Sequence, residues 1–336
     1  MLGNYIMRQG CVTALGGRHT VSRPTAIPVS SVILLALLAG CSGPEAPGRL
    51  KPGIRFHFDR AIGTHGAGAG QFDTPTTLVA DASANLFVVD SGNYRIQQFD
   101  ATGAHQLSFG QYGGGPGEFR GPYGIATDGT YLYVTDRSRC RVEQFSLAGS
   151  FITEFGSQWP EGGSLRKPSY IAAGSSVIAV ADSLQRDIVL YNTSGALTGT
   201  IGSLGAGDGQ FLGVTGLAII GSTLYAADRA RNDIQAFALP GGTYSGKIGG
   251  GGSAAGWLRS PTGIAAAGTA LFVLDNGNAR VQLLTPAGPA QAIVHPDRTA
   301  AGPLASPAGI ATWNGGFVVA DTGHDRLVCF LPDVTP

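Results

Sequence analysis

From about residue 54 onward the chain alternates short apolar runs with polar punctuation and shows no helical period. Thr77-Leu-Val-Ala80, Asn85-Leu-Phe-Val-Val-Asp90, Tyr94-Arg-Ile-Gln-Gln-Phe99 and Gln106-Leu-Ser-Phe-Gly110 are typical. Each is rich in Val, Ile, Leu, Phe or Tyr and is bounded by Gly, Pro, Asn, Asp or Ser, which predicts a β-strand. The set then recurs. Asp90, Asp136, Asp182, Asp228, Asp275 and Asp321 end the second run of each set, at steps of 46, 46, 46, 47 and 46 residues. A second column places a large apolar residue three before Pro or Val: Phe72/Pro75, Phe119/Pro122, Leu165/Pro168, Phe211/Val214, Leu258/Pro261 and Leu304/Pro307. A third closes each set on Gly63, Gly110, Gly156, Gly202 and Gly249, with His295 in the sixth place.

Four strands per repeat at this pitch predict an all-β, six-bladed β-propeller of four-stranded blades. The sixth repeat ends at Pro336, soon after its third strand, Arg326 to Phe330. Ile54 to Gly63 has the fourth-strand pattern and precedes the first repeat, so it is expected to complete blade six. Such closure joins the two ends of the ring and removes a free inner strand edge. Repeats fill residues 54–332 and leave 333–336 as a C-terminal tail, which argues for one domain. The 53 glycines suit many tight turns, and 43% hydrophobic residues against 13% charged can fill the layers between blades.

The first 53 residues read differently. No acid precedes Glu45, Arg8, Arg18 and Arg23 supply positive charge, and Val32–Ala39 is a short apolar run. This is the layout of a signal peptide over residues 1–40, with Met7 as an alternative start, and the run is too short to span a bilayer. Leu38-Ala39-Gly40-Cys41 resembles the bacterial lipobox, which implies lipidation of Cys41. An ordinary secretory signal with a coincidental cysteine is the other reading. Residues 41–53, rich in Pro and Gly, would be a flexible tether. The expected address is therefore a bacterial membrane, with the domain in the periplasm or on the cell surface. Removing residues 1–40 takes three of 22 basic and none of 22 acidic residues and leaves a net charge of −3. That charge gives no global field for nucleic acid. Cys140 and Cys329 fall on separated blades, so neither a disulfide nor metal ligation is expected of them.

Several segments are similar to NHL repeats: Gly68-Ala69-Gly70-Gln71-Phe72, Gly207-Asp208-Gly209-Gln210-Phe211, Pro122-Tyr-Gly-Ile-Ala126, Val89-Asp90-Ser-Gly-Asn93-Tyr-Arg95-Ile-Gln-Gln-Phe99 and Phe109-Gly110. The resemblance extends over residues 54–332 and is closest in the first, second and fifth repeats. It implies a six-bladed propeller but no single activity, since relatives include binding modules, sensor ectodomains, lyases and hydrolases. Propeller lyases of this family hold metal with histidines on inner strands. His57, His65, His105, His295 and His324 fall instead on outermost strands, turns or linkers. Gluconolactonase-type relatives use acids and Asn in the channel, whereas the inner strands here are apolar and small apart from Asp81 and Asp128. No Ser-His-Asp order or nucleophile elbow is evident. Catalytic residues, metal ligands and cofactors are thus expected to be none.

Two patterns remain. Five residues after the column aspartates stand Arg95, Arg141, Arg280 and Arg326, which suggests turn-closing pairs Asp90–Arg95, Asp136–Arg141, Asp275–Arg280 and Asp321–Arg326. A carboxylate ring for catalysis or metal is the alternative. In the third and fourth repeats the partner is Asp187 or Asp233, so like charges face each other. Cations gather in the same turns and in the linkers that precede the inner strands: Arg120, Arg137, Arg139, Arg166, Lys167, Arg186, Arg229, Arg231 and Arg259. Tyr170 stands beside them, where four other repeats carry Gly. These residues would form an off-centre basic face on blades two to four, able to dock a phosphate, a carboxylate, an acidic glycan or an acidic protein. Solvated turns balanced by their own acids are the plainer reading. The functional expectation is a non-catalytic binding or scaffolding module. A metal-dependent lyase or lactonase, and a sensor or assembly accessory, are the alternatives.

Overall fold

The computed structural model describes residues 54–157, 165–286 and 290–333. The expected signal peptide, the tether with Cys41, and most of the C-terminal tail lie outside them. The described chain forms six antiparallel sheets of four strands each. Blade one, running outward, is Pro75–Ala80, Leu86–Asp90, Arg95–Phe99 and His105–Phe109. Blades two to five repeat this order from Pro122, Pro168, Val214 and Pro261. Blade six takes Gly309–Trp313, Gly316–Asp321 and Arg326–Pro332 from the C-terminal end and Phe56–Ile62 from the N-terminal end. That last pairing runs antiparallel from Phe56 opposite Pro332 to Ile62 opposite Leu327. The ring is closed as the truncated sixth repeat requires.

The sequence columns turn out to be spatial partners. In blades one to five the first residue of the inner strand sits directly opposite the aspartate that ends the second strand, as Pro75 does opposite Asp90. A β-bulge follows at once, and the ladder resumes two or three residues on. A bulge bends its strand and re-aims side chains. Here it turns Ser/Thr hydroxyls toward the next blade: Thr76 and Thr77 donate to the Tyr123 carbonyl, Thr215 to that of Pro261 and Thr262 to that of Pro307. Thr135 and Thr322 make equivalent bridges from their turns or strands to Ser169 and Pro75. Blade contacts therefore carry polar bonds as well as apolar packing.

Side chains of the middle strands and of the linkers that precede the inner strands fill the layers between blades. Phe72, Phe99, Phe119, Phe145, Phe211 and Phe237 are buried, and the first two meet at 5.7 Å between ring centroids. The closing glycines, Gly63, Gly110, Gly156, Gly202 and Gly249, make room for the same apolar column. A Cβ on Gly63 would lie 2.3 Å from the Phe72 ring, and one on Gly202 2.4 Å from that of Phe211. Where the inner strands converge, glycine is needed for another reason: a Cβ on Gly124 would meet the Ser169 carbonyl at 2.2 Å, and one on Gly309 that of Thr76 at 2.5 Å.

Candidate functional site

The six column aspartates are each 1% exposed or less. In every blade one carboxylate oxygen accepts the backbone N–H of the residue following the large apolar position: Asp73, Arg120, Arg166, Leu212, Arg259 and Ala305 in turn. In blades two to four the other oxygen accepts two N–H groups of its own turn, as from Ser138 and Arg139 to Asp136. Each aspartate thus pins its inter-blade linker to its hairpin turn, which brings both onto one end of the ring.

The arginines meet these aspartates differently from blade to blade. Arg95, Arg280 and Arg326 donate Nε to Oδ2 of Asp90, Asp275 and Asp321 at 2.8, 2.7 and 2.8 Å. In blade two the expected Asp136–Arg141 pair does not form. Arg141 binds Glu143 Oε1 at 2.7 Å and reaches Glu154. The cause lies two residues along: blades one and five carry Gln97 and Gln282, whose amides donate to the aspartate, whereas blade two carries the carboxylate Glu143. Glu143 cannot donate to Asp136 when ionised and draws the guanidinium to itself. Burial nevertheless pushes Glu143 up to about 7, against the pull of Arg141.

Blade four solves its like-charge turn from another position. Arg231 forks onto Asp233 at 3.1 and 2.9 Å and donates to the carbonyls of Ala206 and Gly207. Arg95 makes the same use of Ala67 and Gly68 in blade one. Arg231, expected on a docking face, is therefore a structural pair partner and is removed from that set. Blade three has no such arginine. Asp187 faces Asp182 across the hairpin, its Oδ1 is buried without a partner, and burial and then Asp182 push its carboxyl up to about 6.

The other cations divide into a cavity group and a rim group. Arg137, Arg186 and Arg229 line a cavity of about 440 Å³ between blades two, three and four, with Tyr123, Tyr170, Asp182, Ser183 and Thr215. The Arg137 guanidinium lies 3.2 Å above the Tyr123 ring centroid, and the Tyr123 and Tyr170 hydroxyls are 3.0 Å apart. Burial and the neighbouring Tyr123 push the Tyr170 phenol well up, while the charges of Arg137 and Arg229 pull it down. Arg186 holds a left-handed backbone at φ 63° and donates to the Leu212 carbonyl of the next blade. Asp182 contributes little free charge here, because its oxygens accept N–H groups from Arg166, Lys167, Leu184 and Gln185. Arg120, Arg166, Lys167 and Arg259 are exposed on the linkers outside the cavity. Arg139 borders a separate groove with Arg141 and Glu154.

Tyr123 was not picked out by sequence, although a signal existed. Its column otherwise reads Thr76, Ser169, Thr215, Thr262 and Ala308, all small. Tyr123 and Tyr170 are the aromatic departures of two adjacent columns on adjacent blades, and both sit in inner-strand bulges. Tyr170 also lines the axial channel, a cavity of about 250 Å³ walled by all six inner strands.

Other candidate chemistry is dispersed. His57, His65 and His324 contact Asp333, Asp325 and Asp321, and His105 contacts Ser108. Among the described residues no group of three or more His, Cys, Asp or Glu is arranged to hold a metal ion. Cys140 and Cys329 are free thiols, both pushed up by burial, Cys329 to about 12.

The NHL repeat family model matches residues 304–330, which is blade six rather than the repeats whose sequence looks closest to that pattern. No curated protein sequence matches the chain. Among solved structures, the chain is similar to a catalytically inactive virginiamycin B lyase from Staphylococcus aureus with quinupristin, at TM-score 0.53 and 19% identity, covering 79% of this chain and 82% of that one. Hydrazine synthase from Kuenenia stuttgartiensis gives TM-score 0.55 and 13% identity, with coverage of 81% and 99%. A chain of the nidogen/laminin complex gives 0.54 and 16%, with coverage of 72% and 86%. At these identities the likeness is one of fold.

Proposed function

We propose that the chain is a lipid-anchored, extracytoplasmic propeller of NHL type that acts as a non-catalytic binding or scaffolding module. It docks an anionic ligand or protein partner on the face that carries the inter-blade linkers. The observation that carries this reading is the cavity between blades two and four. Arg137, Arg186 and Arg229 gather there with no salt bridge among the described residues, while Arg95, Arg141, Arg231, Arg280 and Arg326 all pair with acids. Unpaired guanidinium groups on a concave wall attract and orient an anion. Lipidation at Cys41 would hold the domain at a membrane by a tether of about a dozen residues. Reversal of Arg137, Arg166 and Arg229 to Glu should abolish salt-sensitive partner capture from native membranes; capture unchanged by the reversal rejects this face.

A further inference from the structure

The charge in the cavity points to a narrower ligand class. Three guanidinium groups face one carboxylate, Asp182, so the lining carries a formal charge of +2. The Asp182 oxygens already accept four backbone N–H groups, and no acid bridges Arg137, Arg186 or Arg229 among the described residues. Three cations against a single carboxylate repel one another, and a bound counter-charge relieves that repulsion. Two of the guanidinium groups are held in place: Arg137 over the Tyr123 ring and Arg186 by the Leu212 carbonyl. Arg137 also keeps a buried Nε with no hydrogen-bond partner. Arg229 is exposed at the rim and makes no side-chain hydrogen bond or ion pair among the described residues.

A single carboxylate brings one negative charge and two oxygens to this arrangement. A phosphate monoester brings a charge of about −1.5 to −2 and three acceptor oxygens. It matches both the charge of the lining and its three guanidinium forks. We propose that the cavity between blades two, three and four is a binding site for a phosphate dianion, free, on a small ester, or on a lipid headgroup. The proposal rests on the anion-docking reading above and narrows it to one chemistry.

The test uses the folded propeller from residue 42 onward and titration calorimetry at fixed ionic strength. The probes are inorganic phosphate, glycerol 3-phosphate, sulfate and acetate, and vesicles of phosphatidylcholine with or without phosphatidic acid. Phosphate or its esters should bind, acetate should bind far more weakly, and Arg229→Gln should weaken binding about tenfold. Lys247→Gln, exposed on the outermost strand of blade four, should leave it unchanged. Affinity for glycerol 3-phosphate should fall as pH drops through about 6, where the ester dianion takes up a proton, and sulfate affinity should hold. Binding of soluble esters assigns a diffusible ligand. Binding confined to phosphatidic acid vesicles, and lost in Arg229→Gln, assigns a headgroup. Failure of every phosphate probe, equal loss in the two variants, or acetate binding as tight as phosphate overturns the proposal. If partner capture still depends on Arg137 and Arg229 in that case, the basic face stands and the phosphate assignment alone falls.

Discussion

Asp187→Asn should stabilise the propeller at neutral pH and leave it unchanged in mild acid. Asp187 occupies the position filled by Arg95, Arg280 and Arg326 in other blades, and it faces the buried Asp182 across one hairpin. Its Oδ1 is buried without a partner, and burial, then the Asp182 charge, lifts the carboxyl to about 6. An unfolded aspartate titrates near 3.9, so the displacement corresponds to about 3 kcal/mol at most. Partial exposure screens the charge and leaves about 1–2 kcal/mol. The folded chain keeps a proton that the unfolded chain releases between about pH 4 and 6, so this group lowers stability as pH rises through that window. Asn does not titrate. The difference between variant and parent should be near zero at about pH 4 and reach about 1–2 kcal/mol in favour of Asn by pH 7.5. Urea unfolding monitored by circular dichroism at pH 4.5, 5.5 and 7.5 measures it. A gap that does not vary with pH, or an Asn variant less stable at pH 7.5, would refute the reasoning.

Four further outcomes are expected. Arg231→Ala strands Asp233, which is 4% exposed, and should cost about 3–5 kcal/mol in urea unfolding; adding Asp233→Ala should recover most of that loss. Gly309→Ala places a Cβ 2.5 Å from the Thr76 carbonyl and should lower stability by about 1–3 kcal/mol, while Gly199→Ala, with nothing within 4 Å, should be near neutral by the same assay. A chain that begins at residue 64 lacks the strand that pairs Arg326–Pro332; it should aggregate on size-exclusion chromatography, and a peptide of residues 54–63 should restore the elution volume of the intact propeller. Cys41→Ala should abolish palmitate labelling and release the protein from the membrane fraction; retained label would remove the anchor from the proposed function.

Much of the architecture was legible because it repeats. Strand alternation, the aspartate column and the glycine closes each appear six times or nearly so, and a signal repeated at 46-residue steps survives local noise. The Asp–Arg pairs were legible in blades one, five and six for the same reason. Blade two departed because Glu143 stands where blades one and five have Gln, and a buried carboxylate re-routes the nearest guanidinium. Blade four departed because Arg231 reaches the same linker carbonyls from two residues closer to the aspartate, which strand spacing alone does not disclose. Among the proposed docking residues, the structure separates Arg137, Arg186 and Arg229, which share one cavity, from Arg120, Arg166, Lys167 and Arg259, which do not.

The sequence by itself determined the blade number, the strand order, the ring closure and the end of the ring on which the cations stand. Those follow from periodicity, and periodicity is a property of the chain. The tertiary structure decided which cations are neutralised and which remain open. That depends on where a flexible guanidinium finds its nearest acid or carbonyl, often on a neighbouring strand or blade 20 to 30 residues away, as Arg231 does at Ala206 and Arg186 at Leu212. It also brought Tyr123 beside Tyr170, because two bulges on adjacent inner strands aim them at each other across a blade boundary.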